Sequence, residues 1–248
     1  MNPHKIYRLL LDSLSFEPTL SQKKALEEIT RFLVAENPKK FFVLKGYAGT
    51  GKTSLIKALI QTLHSMGNQT IQLAPTGRAA KVISRYSGYQ ASTIHKLLYY
   101  PKRSGNKPIS FTLAKNKFKR TLFIVDEASM LSDRQPDKGL FASDSLLQHL
   151  FEYVYSGQNC SLLLIGDTAQ LAPVAETQSI ALDEQQLALR FELTPFTALL
   201  TEVVRQAAES AILSNATRIR DSLIANDFQF KLDTTSGSEV FRMQDGSE

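Results

Sequence analysis

Cysteine is almost absent from this 248-residue chain, and the single Cys160 excludes an internal disulfide and any cysteine-based zinc cluster. Only four histidines occur, and they are scattered, so a structural metal site is not expected. Long apolar runs are missing too: each spans a few residues, far short of the roughly 20 that a membrane helix needs. The N-terminal stretch MNPHKIYRLLLDSL has apolar positions at helical spacing but no small-residue cleavage site, so it reads as a helix and not a signal peptide. Short repeats are lacking, which excludes solenoids. These absences fit a soluble cytoplasmic protein with no membrane contact. What is present, 43% hydrophobic and 21% charged residues, is ordinary globular composition. The length suits one large α/β domain, alone or with a smaller module.

The net charge of +5 and pI near 9.2 point weakly to an anionic partner. A local run says more: Lys102, Arg103, Lys107, Lys115, Lys117, Lys119 and Arg120 fall between Tyr99 and Arg120 with no acidic residue among them. Such a run is either a solvated surface or a footprint for phosphates. Along the chain, Asn2 is placed to cap a first helix with Ile6, Leu9 and Leu10 on one face. A second helix is expected from about Ser21 to Glu36. Strands are expected at 41–45, 70–74, 121–126 and 161–166, with helices after the first, from Arg78 to Ser87, around His95, and near Ser145–Tyr155. Strand and helix in alternation predict a mostly parallel sheet with helices on both faces. The last twenty residues carry no complete element.

Two motifs define a candidate site. GYAGTGKT at 46–53 fits the phosphate-binding pattern G-x-x-x-x-G-K-[ST] after a strand and before a helix. Its glycines let backbone N–H groups of Gly46, Ala48, Gly49, Thr50 and Gly51 curl around phosphate oxygens at a helix N-terminus. Lys52 would reach the β- and γ-phosphates of ATP, and the Thr53 hydroxyl would sit on Mg²⁺. LFIVDEAS ends a strand in two carboxylates, with Asp126 expected on Mg²⁺ and Glu127 orienting or deprotonating the attacking water. A third stretch, SLLLIGDTAQLAPV, delivers Gln170 to the carboxyl end of another strand. That glutamine is either a γ-phosphate sensor or a turn residue bonded to backbone.

In order, GYAGTGKT, LAPTGRAA, STIHKLL, IVDEASM, LIGDTAQLAPV and LTEVVRQ resemble the first motor domain of superfamily 1 helicases of the RecD/Dda-like, 5′-to-3′ branch, over roughly residues 16 to 225. The resemblance implies a RecA-like P-loop NTPase fold and ATP-dependent helicase activity. It also implies that Gln170 contacts the γ-phosphate and couples it to grip on DNA. Arg205, otherwise a helix-start cation, would reach the γ-phosphate from EVVRQ. Gln22 carries two readings: in TLSQ it completes a capping box with Thr19, whereas the resemblance makes it an adenine contact. Thr76, Arg78, Thr93 and His95 become contacts to single-stranded DNA, although Thr93 alone would be a plain N-cap and His95 a packed or surface histidine. The insertion at 99–120 sits where the family places a β-hairpin pin. SGN would be its turn, Lys102 and Arg103 would track phosphates, and Tyr99, Phe111 or Phe118 would stack on a base. A flexible basic loop is the plainer alternative.

The expected organisation is an N-terminal helix (1–15), a motor domain (16–225) and the start of a connection (226–248) to a second motor domain in cis. Nothing after Gln206 resembles that domain's strand-binding motif or its arginine finger, so the chain reads as a monomeric N-terminal piece of a longer helicase. Weak hydrolysis and no unwinding by the chain alone are expected, since losing such a finger lowers turnover by roughly 10³ to 10⁵. Alternatives are a different P-loop ATPase or kinase, a binding module with a vestigial nucleotide site, and an RNA helicase of the Upf type.

Overall fold

The computed structural model describes residues 2–102, 110–134, 145–171, 173, 176, 178–204 and 211–224. Helix α1 (Pro3–Asp12) starts at Asn2, whose side chain accepts from the His4 N–H at 3.0 Å. Next come α2 (Leu20–Val34), β1 (Lys40–Gly46), α3 (Lys52–Ser65), β2 (Gln69–Ala74), α4 (Gly77–Ser87), β3 (Ala91–Thr93) and α5 (Ile94–Leu98). A hairpin of β4 (Tyr99–Lys102) and β5 (Ser110–Leu113) interrupts the alternation. It resumes with β6 (Thr121–Val125), α6 (Leu146–Ser156), β7 (Ser161–Gly166), α7 (Glu184–Phe191), β8 (Thr194–Leu200) and α8 (Ala211–Ile224).

Six strands form one sheet in the order β3-β2-β6-β7-β1-β8, and every pairing is parallel. The inner strands read as near-continuous apolar runs because both faces are covered. Alternate side chains serve opposite cores: Phe41, Val43, Phe123, Val125, Leu162 and Leu164 face α5, α6 and α7. Phe42, Leu44, Leu122, Ile124, Leu163 and Ile165 face α1, α2 and α3. Each such fully buried side chain contributes roughly 1.5–3 kcal/mol. Ile6 and Leu10 bring α1 into the second core. Among the described residues no helix is long and apolar enough to cross a membrane.

The insertion carries the two expected extended arms, paired from Tyr99–Leu113 to Lys102–Ser110; the SGN turn and Arg103 lie outside the described residues. Two of its aromatics differ from expectation. The Tyr99 hydroxyl lies 2.8 Å from His149 Nδ1 on α6, and burial pushes its pKa up to about 12. Phe118 packs edge-on against Phe123 at 5.6 Å. Both rings therefore anchor the hairpin to the core and are not presented to a base. Phe111 is half-buried, and Tyr100, which was not a candidate, is 49% exposed.

Candidate functional site

Because all six strands of the sheet run parallel, their carboxyl ends share one edge, and five of them deliver residues singled out above. After β1 the chain turns through Gly49 (φ 75) and Gly51 (φ 85), left-handed conformations that glycine adopts without a Cβ penalty. The Thr50 hydroxyl and N–H both donate to the Tyr47 carbonyl, at 2.7 and 3.3 Å, closing the loop. Gly51 precedes α3 without any side-chain cap, so the helix's first N–H groups are left for an anion. Lys52 Nζ donates to the carbonyls of Gly46 (2.6 Å) and Tyr47 (3.0 Å). Its pKa is lowered by burial, against which the charges of Asp167, Asp126 and Glu127 act. Ala48 and Gly49 are exposed at the loop's tip and Thr50 is buried beneath it.

Three carboxylates thus act on one ammonium through their charge. The Asp126 N–H donates to Leu73 of β2, and its Oδ1 accepts from the Glu127 N–H at 2.9 Å. Burial raises the Asp126 carboxyl, with the Glu127 bond and the Lys52 charge opposing. Glu127 adopts a left-handed φ of 55, which for a residue with a Cβ costs roughly 1–2 kcal/mol. Asp167, buried at the end of β7, accepts from the Ala169 N–H at 2.8 Å; it is a site residue that the motif pattern did not single out. Gln170 Oε1 accepts from the Ser129 hydroxyl at 2.7 Å. Ser129 follows the two carboxylates, so the loops after β6 and β7 are tied together.

The metal question turns on the donor set. Thr53 and Asp126 line one cavity, and no cluster of three His, Cys, Asp or Glu side chains occurs among the described residues. One carboxylate plus one hydroxyl suits Mg²⁺ shared with phosphates and not an all-protein cage. The same cavity is lined by Gln72 of β2. Gln72 is 3% exposed, and its Oε1 finds no hydrogen-bond partner among the described residues. Pattern reasoning missed it because a glutamine inside QTIQLA belongs to no motif.

Gln22 forms the capping box: Oε1 accepts from the Thr19 N–H at 3.0 Å, and the Thr19 hydroxyl accepts from the Gln22 N–H. Its Nε2 donates to the Thr50 carbonyl at 2.9 Å, and the side chain is fully buried. Both ends of the amide are engaged within the protein, so an adenine contact requires it to abandon Thr19 or Thr50. The neighbouring Glu202, also missed, accepts from the Ser21 N–H at 2.8 Å and from the Ser21 hydroxyl. Bonds from Ser21 and Thr19 hold its carboxyl at a pKa of about 2. Two residues later the Val204 N–H donates to the Gly49 carbonyl at 3.1 Å. The phosphate loop, the start of α2 and the segment after β8 therefore form one bonded knot. Arg205, the next residue, lies outside the described residues.

Towards the other end of the edge, Thr76 and Thr93 are N-caps of α4 and α5, accepting from Ala79 and Lys96 N–H groups at 3.2 Å each. Their hydroxyl oxygens accept in capping, and each hydroxyl keeps its proton to donate. Arg78 and Lys102 are exposed. His95 lies 5.8 Å from the Tyr99 ring, and burial lowers its pKa.

Comparison with known proteins finds that the model of a family described as AAA domain matches residues 19–235. The chain is 31% identical to the ATP-dependent RecD2 DNA helicase of Deinococcus radiodurans over 204 residues, 80% of this chain and 24% of that protein. It is 32% identical to the ATP-dependent DNA helicase dda of Enterobacteria phage T4 over 166 residues, 66% of this chain and 34% of the relative. Among solved structures, the Pif1 helicase from Bacteroides in complex with ADP-AlF3 and ssDNA shares the fold at a TM-score of 0.51 and 21% identity, covering 84% of this chain and 47% of that one. The chain spans about a quarter to a third of the length of these two curated relatives.

Proposed function

The chain belongs to the AAA domain family, with the ordered motifs of the RecD/Dda-like branch of superfamily 1, and from that premise we propose that it is the first motor domain of an ATP-dependent DNA helicase. In the whole protein it would act with a second motor domain in cis, coupling hydrolysis to 5′-to-3′ movement on single-stranded DNA. The observation that carries this reading is Lys52, bonded to the carbonyls of its own glycine loop within the field of Asp167, Asp126 and Glu127, with Gln170 bonded to the loop that follows the latter two.

The chemistry follows from these positions. Lys52, bonded to its own loop, exchanges the Gly46 and Tyr47 carbonyls for phosphate oxygens, and the uncapped start of α3 adds backbone N–H groups. Thr53 and Asp126 would hold Mg²⁺, which supplies charge neutralisation on the phosphates. Glu127 accepts a proton from the attacking water or orients it. Gln170, uncharged and tied to Ser129, reports the γ-phosphate through the loop bearing Glu127 without cancelling the magnesium charge. Thr76, Arg78, Thr93, His95, Lys102 and Arg103 are assigned to the strand, with Arg205 assigned to the γ-phosphate.

The test is titration of Mg-ATP into the wild-type chain and Lys52→Ala, each with and without a poly-dT strand. Binding by the wild type that poly-dT tightens, and that Lys52→Ala abolishes, is the expected result. An ATP affinity indifferent to the strand would overturn the helicase assignment in favour of a DNA-independent ATPase, and a response to poly-U alone would shift the track to RNA.

A further inference from the structure

Between Asn37 and Val125 the chain contains none of its 24 acidic residues but sixteen of its 29 Lys and Arg. The fold gathers much of this interval at one flank of the sheet. Helix α4 packs on α3, β2 and β3, all of which come from the acid-free interval. Its inner face is Ala80, Ile83 and Ser87. Its outer face is Arg78, Lys81, Val82, Arg85 and Tyr86, all exposed, with Tyr86 at 64%. Lys57 of α3 is also exposed and lines the cavity that Ile83 and Ser87 of α4 share. Asp126 is the one carboxylate lining that cavity, and it is assigned above to magnesium. Among the described residues no carboxylate pairs with Lys57, Arg78, Lys81 or Arg85.

Direction matters. Thr76 puts the start of α4 at the carboxyl edge, where the single strand is assigned. The helix then runs back along the sheet's flank, with Lys81 roughly 4.5 Å and Arg85 roughly 10 Å further along its axis than Arg78. A strand that follows the edge meets Arg78 and passes Lys81 and Arg85 by. The face is a convex helix bearing long cations and one exposed ring, so it suits nucleic-acid backbone; unstacked bases need aromatic platforms in a groove. We infer that the outer face of α4, through Lys81 and Arg85 with Lys57 beside them, binds the phosphate backbone of a duplex arm that adjoins the single strand. This rests on the nucleic-acid reading above and adds a second contact surface to it.

The experiment measures binding of a poly-dT strand and of the same strand carrying a duplex arm, using the wild-type chain and the double variant Lys81→Glu/Arg85→Glu. The wild type should prefer the armed substrate. The variant should lose that preference by about tenfold, with the salt slope for the armed substrate falling by roughly 1.8, the release expected from two phosphate contacts. Affinity for poly-dT alone should be unchanged. Equal losses on both substrates would put α4 on the single-strand path and overturn the inference. No loss on either would reduce the face to a solvated one. A wild-type chain that binds neither DNA would sink the underlying nucleic-acid reading as well, a result distinct from the other two.

Discussion

Replacing Gln22 with alanine separates a brace from a base reader. The side chain is fully buried and makes two bonds, one to the Thr19 N–H and one to the Thr50 carbonyl. Loss of the capping interaction costs about 0.5–2 kcal/mol. The Thr50 carbonyl loses its donor in a buried setting, which adds about 1–3 kcal/mol. A destabilisation of roughly 1.5–5 kcal/mol therefore follows, or a fall in Tm on the order of 3–20 °C for a chain of this size. Since Thr50 belongs to the phosphate loop, ATP and GTP should weaken together. The assay is thermal unfolding without nucleotide, followed by equilibrium titration of fluorescent ATP and GTP analogues. An unchanged Tm with a collapsed ATP-to-GTP preference would refute the argument, because the amide would then select the base and its two internal bonds would contribute nothing.

Glu202 supplies a pH dependence. Its carboxyl sits at about 2 in the folded chain against an ordinary 4.5, so its stabilisation is complete above 4.5 and disappears as pH falls through 2. The gap in urea midpoint between the wild type and Glu202→Gln should be constant near neutrality and close between those two values; parallel curves throughout would contradict the bond to Ser21. Gly46 and Gly77 make a contrasting pair. A Cβ on Gly46 would lie 2.8 Å from Thr50 Oγ1 and 2.9 Å from Leu200 Cβ, so Gly46→Ala should destabilise by about 1–3 kcal/mol and weaken ATP binding. At Gly77 a Cβ meets nothing within 4 Å, so Gly77→Ala should be neutral or slightly stabilising in unfolding measurements; equal effects at the two positions would refute the contact argument.

The parts of the fold that could be read in advance are those whose determinants are local. β1, β6 and β7 announce themselves as compact apolar runs bounded by polar turns, and all three lie inside the sheet. β8 does not: TPFTALL carries a proline and two threonines, and Leu200 alone is buried. As an edge strand it has a neighbour on one side only, β1, and its composition carries no such signature. β3, three residues long, is shorter than any periodicity can register. Tyr99 was misjudged for a related reason. Residues alternate sides along a strand, so parity decides exposure: Tyr99 turns in to His149 and Tyr100 turns out.

The site divides the same way. The phosphate loop and Asp126 depend on contiguous residues, whereas Asp167, Gln72 and Glu202 acquire meaning only when separate strands are aligned. Parallel pairing of β7 between β6 and β1 is what brings Asp167 to Lys52 and Gln170 to Ser129. That accounts for a buried strand ending in one carboxylate and one amide. The charge of the carboxylate acts on the ammonium of the loop after β1, and the amide bonds to the loop after β6. β7 therefore stands between the lysine that would hold the phosphates and the glutamate that would position water.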